Sequence, residues 1–179
     1  MCNFLSAIVM QNGDLITNPF LTDSHEDLLQ ANNIRDGLAQ QGTFARIEFL
    51  PPKDHSALQD LSTWTLEVDE QVEPIWFDHA AVRAKLEDRV RRMIIDDERD
   101  FLLGGVWILA GGAKIKKVKN SRIVFMLGGS QVGRMWGNSQ VGEMWYSSQV
   151  GWMVGNSLVK KLHDRARLPE GKKPLEDCR

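Results

Sequence analysis

Two sets of side chains in this sequence carry enough chemistry to be sites, and the first gathers around Cys2. Removal of Met1 would leave Cys2 at the N-terminus, where its own α-amine can act as general base for the thiol. His25, in the segment Asp23-Ser24-His25-Glu26-Asp27, is a second base, with Asp27 or Glu48 as the carboxylate that would orient it. Convergence of Cys2, His25 and a carboxylate would make a nucleophilic enzyme, a hydrolase or transferase acting on nucleic acid or a nucleotide. The plain alternative is a cysteine that begins a strand and serves as a small buried hydrophobe.

The second set is cationic and aromatic. Lys114, Lys116, Lys117 and Lys119 form a cluster, followed by Arg134, Trp136, Trp145 and Trp152. Contact with phosphates needs only positive charge at suitable reach, and indole faces accept stacked bases. The same residues suit a protein partner, burial against a second copy of the chain, or a solvated strand edge kept polar to block pairing. Neither set implies a metal or a cofactor. Cys2 and Cys178 stand at opposite ends of the chain with no zinc-ligand spacing.

The elements that must position these groups fall into two textures. From residue 121 to 165 the chain repeats every nine residues, in units beginning at Ser121, Ser130, Ser139, Ser148 and Ser157. Position three is Ile123, Val132, Val141, Val150 and Val159, and position six is Met126, Met135, Met144, Met153 and Leu162. Two columns apolar in every unit predict the interior of a short β-solenoid. Glycine at position four (Gly133, Gly142, Gly151) predicts a close backbone approach or a tight bend. Gly137-Asn138 and Gly155-Asn156 recur 18 residues apart, and Asn120 stands 18 before Asn138, which favours two repeats per coil. Position seven holds Leu127, Trp136, Trp145 and Val154, and position five holds Phe125 and Trp152. That reads as one aromatic ladder. These units lack the aspartate and glycine runs of calcium-binding nonapeptides.

The first hundred residues read as a small α/β unit. Asn12-Gly13 predicts a hairpin between strands at 4–10 and 15–17. Asp23 or Ser24 caps a short helix with Glu26 and Asp27 in its first turn. Residues 44–50 and 64–68 alternate as strands do. Asp78 caps a helix over about 79–95, with Val82, Leu86, Val90 and Ile94 on one stripe, ending near Asp96-Asp97-Glu98. Short strands are expected at 106–109 and 114–119. The expected organisation is an acidic α+β domain over 1–102, a basic β-solenoid over 103–165 and a polar tail over 166–179.

Charge follows that division. The chain of 179 residues has a formal net charge of −2. Residues 1–102 carry 19 Asp/Glu against 9 Lys/Arg, and residues 103–179 carry 5 against 13. A basic half facing a polyanion, or two halves attracting each other, would produce this pattern. No apolar run approaches the roughly 18 residues that span a bilayer. The first residues lack the basic and small-residue signature of a secretory signal. A cytoplasmic protein with reduced thiols and no membrane partner is the expectation.

Taken together, Met1-Cys2-Asn3-Phe4, Ser24-His25-Glu26-Asp27 and Asn138-Ser139-Gln140-Val141-Gly142-Glu143-Met144 resemble a family of uncharacterised bacterial and phage proteins. That family shares a Met-Cys-Asn-Phe start, a Ser-His-x-Asp segment and C-terminal Asn-Ser-x-Val-x-x-Met repeats. The resemblance covers most of the chain. It implies a phage or mobile-element context, in which short proteins act on host defence or nucleic acid. The Met-Cys start alone also resembles class II glutamine amidotransferases and the SRAP domain, but those continue with Gly where this chain has Asn3. The sequence therefore points to an accessory protein that binds nucleic acid or a host protein through the solenoid, which also offers a homo-oligomer surface. The alternative is the Cys2 enzyme.

Overall fold

The computed structural model of the chain describes residues 5–17, 24–35, 42–54 and 57–177. It divides into two compact units, Met1–Arg91 and Arg92–Arg179.

The first unit is an antiparallel sheet with two helices. Strands β1 (Leu5–Met10), β2 (Leu15–Ile16), β3 (Phe44–Leu50) and β4 (Thr65–Val68) lie in the order β2-β1-β3-β4. The β1–β2 hairpin turns at Asn12-Gly13 as expected. Gly13 takes a φ of 85°, and the Asn12 Oδ1 accepts from the Asp14 amide at 3.0 Å. Helix α1 (His25–Ala31) is capped by Ser24, whose hydroxyl accepts from the Asp27 amide. It buries Leu28 and Leu29 in a cluster with Ile8 and Phe44. Helix α2 (His79–Arg91) starts at Asp78, whose Oδ1 accepts from the Ala81 amide at 3.0 Å. It buries Val82, Leu86 and Val90.

The helix does not continue to residue 95. Ile94 fits the helical stripe, yet Ile94–Ile95 is strand β5, paired in parallel with β7 (Val106–Leu109) through Ile94 beside Ile108. An apolar residue four positions on serves either a helix face or a sheet, and here the sheet of the second unit claims it. The boundary between the units thus falls before residue 94 and not at 102. Strand β6 (Glu98–Leu103), unforeseen in the sequence, carries the acidic segment into the solenoid.

The second unit is a β-solenoid. Strands β8 (Lys114–Lys119), β9 (Arg122–Met126), β10 (Gln131–Trp136), β11 (Gln140–Met144), β12 (Gln149–Met153) and β13 (Leu158–Leu162) continue the coil. Two parallel sheets result, β12-β10-β8-β6 and β14-β13-β11-β9-β7-β5, where β14 is Glu176–Asp177. Each nine-residue repeat supplies one strand, and alternate repeats go to alternate sheets. One coil is therefore two repeats, with Gln131 beside Gln149 and Arg122 beside Gln140. The earlier coils are shorter: Lys114 lies beside Gln131 and Glu98 beside Lys114.

Both predicted columns point inward. Ile123, Val132, Val141, Val150, Val159, Met126, Met135, Met144, Met153 and Leu162 all belong to one buried core, which Leu102, Ile115 and Val118 extend into the earlier coils. Two outward residues separate each inward pair, and glycine at position four answers a need for space. A Cβ on Gly142 would sit 2.5 Å from the carbonyl oxygen of Val124, and one on Gly133 2.7 Å from that of Lys116. Adjacent coils are also stitched at their corners. The Asn138 amide donates to Asn120 Oδ1 at 3.0 Å, and Asn156 Nδ2 donates to Asn138 Oδ1 at 3.2 Å.

The polar tail belongs to this fold. Ala166 is buried, Arg167 forms a parallel bridge with Gln149, and β14 pairs with β13. Backbone groups at the last coil would otherwise be left without partners, which is the reason solenoids carry caps. Among the described residues no helix is long and apolar enough to cross a membrane.

Candidate nucleic-acid interface

The outer face of the β12-β10-β8-β6 sheet gathers most of the cationic and aromatic set. Strand pairing places Phe101, Lys117, Arg134 and Trp152 in one row across the four strands. Leu103, Lys119 and Trp136 form the next row. Glu98, Lys114, Gln131 and Gln149 form a third, and Lys116 projects between Lys114 and Lys117. Neighbouring strands in a sheet stand about 4.8 Å apart, so each row is a close-set line of side chains. All the lysines of the cluster lie on β8, because an outward-facing strand in the middle of a sheet exposes them to water at little cost.

The aromatic groups differ in how open they are. The ring of Trp136 stacks on Phe101 at a centroid separation of 5.8 Å and an interplanar angle of 28°. The Arg134 guanidinium lies 5.7 Å from the centre of the same indole. Trp136 is thus occupied by its own neighbours, whereas Trp152 is 59% exposed. Phe101, Trp136, Lys117, Arg134, Asp100 and Val154 surround a shallow depression of about 590 Å³. At its rim Lys116 Nζ pairs with Asp100 at 2.7 Å and lies 3.9 Å from Glu98. The hydrogen bond from Lys116 holds the Asp100 carboxyl below its ordinary range, and the same contact raises Lys116. Five cations thus face two acids, and both acids stand on the edge strand.

No protein-family model, curated protein or solved structure matches this chain.

Trp145 does not join this face. It follows β11, in the other sheet, because a nine-residue step is half a coil. The expected single ladder of Trp136 and Trp145 is therefore two separate columns. Phe125 and Leu127, on the Trp145 side, are buried. Trp145 itself donates from Nε1 to Glu143 at 3.0 Å and stacks on His163. The residues that sequence reasoning missed are on β6: Phe101, Leu103 and Asp100. Their signal was present, since Leu102 continues the inward column of Val118 and Met135 at a slightly shorter step.

The catalytic set stands differently. Cys2 lies outside the described residues, as do Asp23 and Cys178. His25 is buried, with Nε2 donating to the Ile47 carbonyl at 2.9 Å and Nδ1 3.4 Å from Asp69. The carboxylate against the ring is thus Asp69, brought there by the pairing of β3 with β4, which sets Ile47 beside Val68. Glu48 sits on β3 opposite Ser6 and Glu67, and Asp27 is exposed on the first turn of α1. A ring anchored by both nitrogens packs the helix to the sheet.

Proposed function

We propose that this protein is a phage or mobile-element accessory protein that binds single-stranded nucleic acid on the outer face of the β12-β10-β8-β6 sheet. The observation that carries the reading is the row of Phe101, Lys117, Arg134 and the open Trp152 across that sheet. Cations paired with an exposed indole fit a ligand that offers phosphates and unstacked bases together. A duplex hides its base faces and would leave Trp152 unused. The strand β8, six residues long, gives a cation line of about 17 Å, room for a few nucleotides. The mobile-element context is supported by the likeness of the Met1-Cys2-Asn3-Phe4 start and the repeats to phage proteins.

The test is a titration of the full chain with a short fluorescent oligothymidylate across a salt series. Stacking on one aromatic contributes about 1–3 kcal/mol per base, so Trp152→Ala should weaken binding roughly 5- to 150-fold. Trp145→Ala should leave it unchanged. The affinity should fall with salt at a slope of about −0.7 for each phosphate engaged. Equal affinity of Trp152→Ala and the parent chain, or a preference for duplex, refutes the reading. Absence of binding to any oligonucleotide refutes it too, and turns attention to a host protein on this face.

A further inference from the structure

A second site stands at the C-terminal end of the solenoid, beyond the last strands β12 and β13. Beyond β13 the chain turns at Asp164, which takes a φ of 53°. It is then pinned at both ends of a short excursion. The Arg167 amide donates to the Ser148 carbonyl at 2.9 Å, and the Val150 amide donates to the Arg167 carbonyl at 3.1 Å. Further on, the Leu175 amide donates to the Val159 carbonyl at 3.0 Å. The segment between these anchors closes over the last coil incompletely and leaves a depression of about 550 Å³. That lies within the range of small-molecule sites.

The chemistry of its lining is specific. Leu168 and Leu175 supply an apolar surface above the buried Leu162, and Arg167, Lys172 and Lys173 supply the charge. Among the described residues no carboxylate lines it, and none of these three cations makes an ion pair with any of them. Leu175 is 71% exposed, an apolar side chain that a ligand would cover. Three unneutralised cations beside an aliphatic surface complement an anion carried on an apolar body, and neither a bare anion nor a neutral hydrocarbon would use both halves.

We propose that this depression binds a small amphipathic carboxylate. Its headgroup would be held by Arg167, Lys172 and Lys173, and its aliphatic chain would lie on Leu168 and Leu175, over the buried Leu162. The proposal is independent of the nucleic-acid reading, because it concerns other residues.

The experiment titrates the full chain with decanoate, decanol and inorganic phosphate, each below self-association, while leucine methyl resonances are followed by NMR. Decanoate should bind saturably and shift the methyls of Leu162, Leu168 and Leu175. Decanol and phosphate should each bind at least about tenfold more weakly, the loss expected when a charge-assisted contact or the apolar contact is removed. The triple variant Arg167→Gln, Lys172→Gln, Lys173→Gln changes only exposed side chains and should weaken decanoate about tenfold while leaving the unfolding midpoint in place. Decanol binding as tightly as decanoate overturns the proposal, because the cations would then do nothing. Phosphate binding as tightly does the same for the leucines, and an absence of saturable decanoate binding removes the site.

Discussion

The rings of Trp145 and His163 lie one over the other, 3.6 Å apart at their centroids and 5° from parallel. They are 18 residues apart, one coil of the solenoid. At the edge of both rings, the Glu143 carboxylate accepts from Trp145 Nε1 at 3.0 Å and lies 3.5 Å from His163 Nε2. A stacked pair of this kind contributes about 0.5–1.5 kcal/mol beyond the area it buries. His163→Ala should therefore destabilise the last coil by about 1 kcal/mol. Amide hydrogen exchange should register the loss in β13 and β11 and not in the first unit.

The serines of position one are alike in sequence and unlike in structure. Ser139 Oγ donates to the Trp136 carbonyl at 2.7 Å, and Ser157 Oγ to that of Val154 at 2.8 Å. Ser130 and Ser148 are as buried as Ser139, but their hydroxyls have no partner among the described residues. A buried hydroxyl left unpaired costs about 1–3 kcal/mol, whereas a paired one contributes about 1 kcal/mol. Ser139→Ala should lower the stability by about 1 kcal/mol, and Ser130→Ala should leave it unchanged or raise it. Denaturant unfolding of the two variants checks this, and a larger loss at Ser130 than at Ser139 would contradict it.

Gly142 has no room for a methyl group, since its Cβ would meet the carbonyl oxygen of Val124 at 2.5 Å. Backbone cannot swing aside as a side chain does. Gly142→Ala should cost about 1–3 kcal/mol, the usual range for overpacking. Gly112 is the comparison at an open position, with nothing within 4 Å of its Cβ, although its φ of 81° adds strain of its own. A thermal melt of Gly142→Ala indistinguishable from the parent would mean that the coils separate more readily than their spacing implies.

The ion pair of Asp100 with Lys116 restrains one cation of the candidate interface. Asp100→Asn removes a negative charge from the face and releases Lys116, so affinity for a polyanion should rise and the salt slope should steepen by up to about one phosphate's worth. The pH behaviour follows from the directions of the shifts. Asp100 lies below its ordinary 3.8, so its side of the pair is present above that value and lost only as pH falls through the depressed one. Lys116 lies above its ordinary 10.5, so its side is present below that value and lost as pH rises through the raised one. The pair should therefore persist across the whole neutral range. A carboxyl NMR titration placing Asp100 at or above 3.8 would contradict this.

Much of the molecule is written in local pattern. The Asn12-Gly13 turn, the caps at Ser24 and Asp78 and the alternation of β3 depend on residues within a few positions of one another, so they are readable without any knowledge of the fold. The inward columns of the solenoid are readable for the same reason. A repeating unit must meet its copy, and only Ile, Val, Met or Leu can fill the shared interior.

What the tertiary structure alone decided is where outward residues go. A period of nine in the sequence becomes a period of 18 in space, so Trp136 and Trp145 part company while Phe101, far from any repeat, arrives beside Trp136. The same long-range pairing sets Asp69 against His25, draws Ile94 out of the helix stripe and folds the tail onto β13. None of these outcomes follows from local propensity. Each depends on which backbone edges are left to satisfy once the coils have stacked, and that is fixed by the register between strands and not by the composition of any one of them.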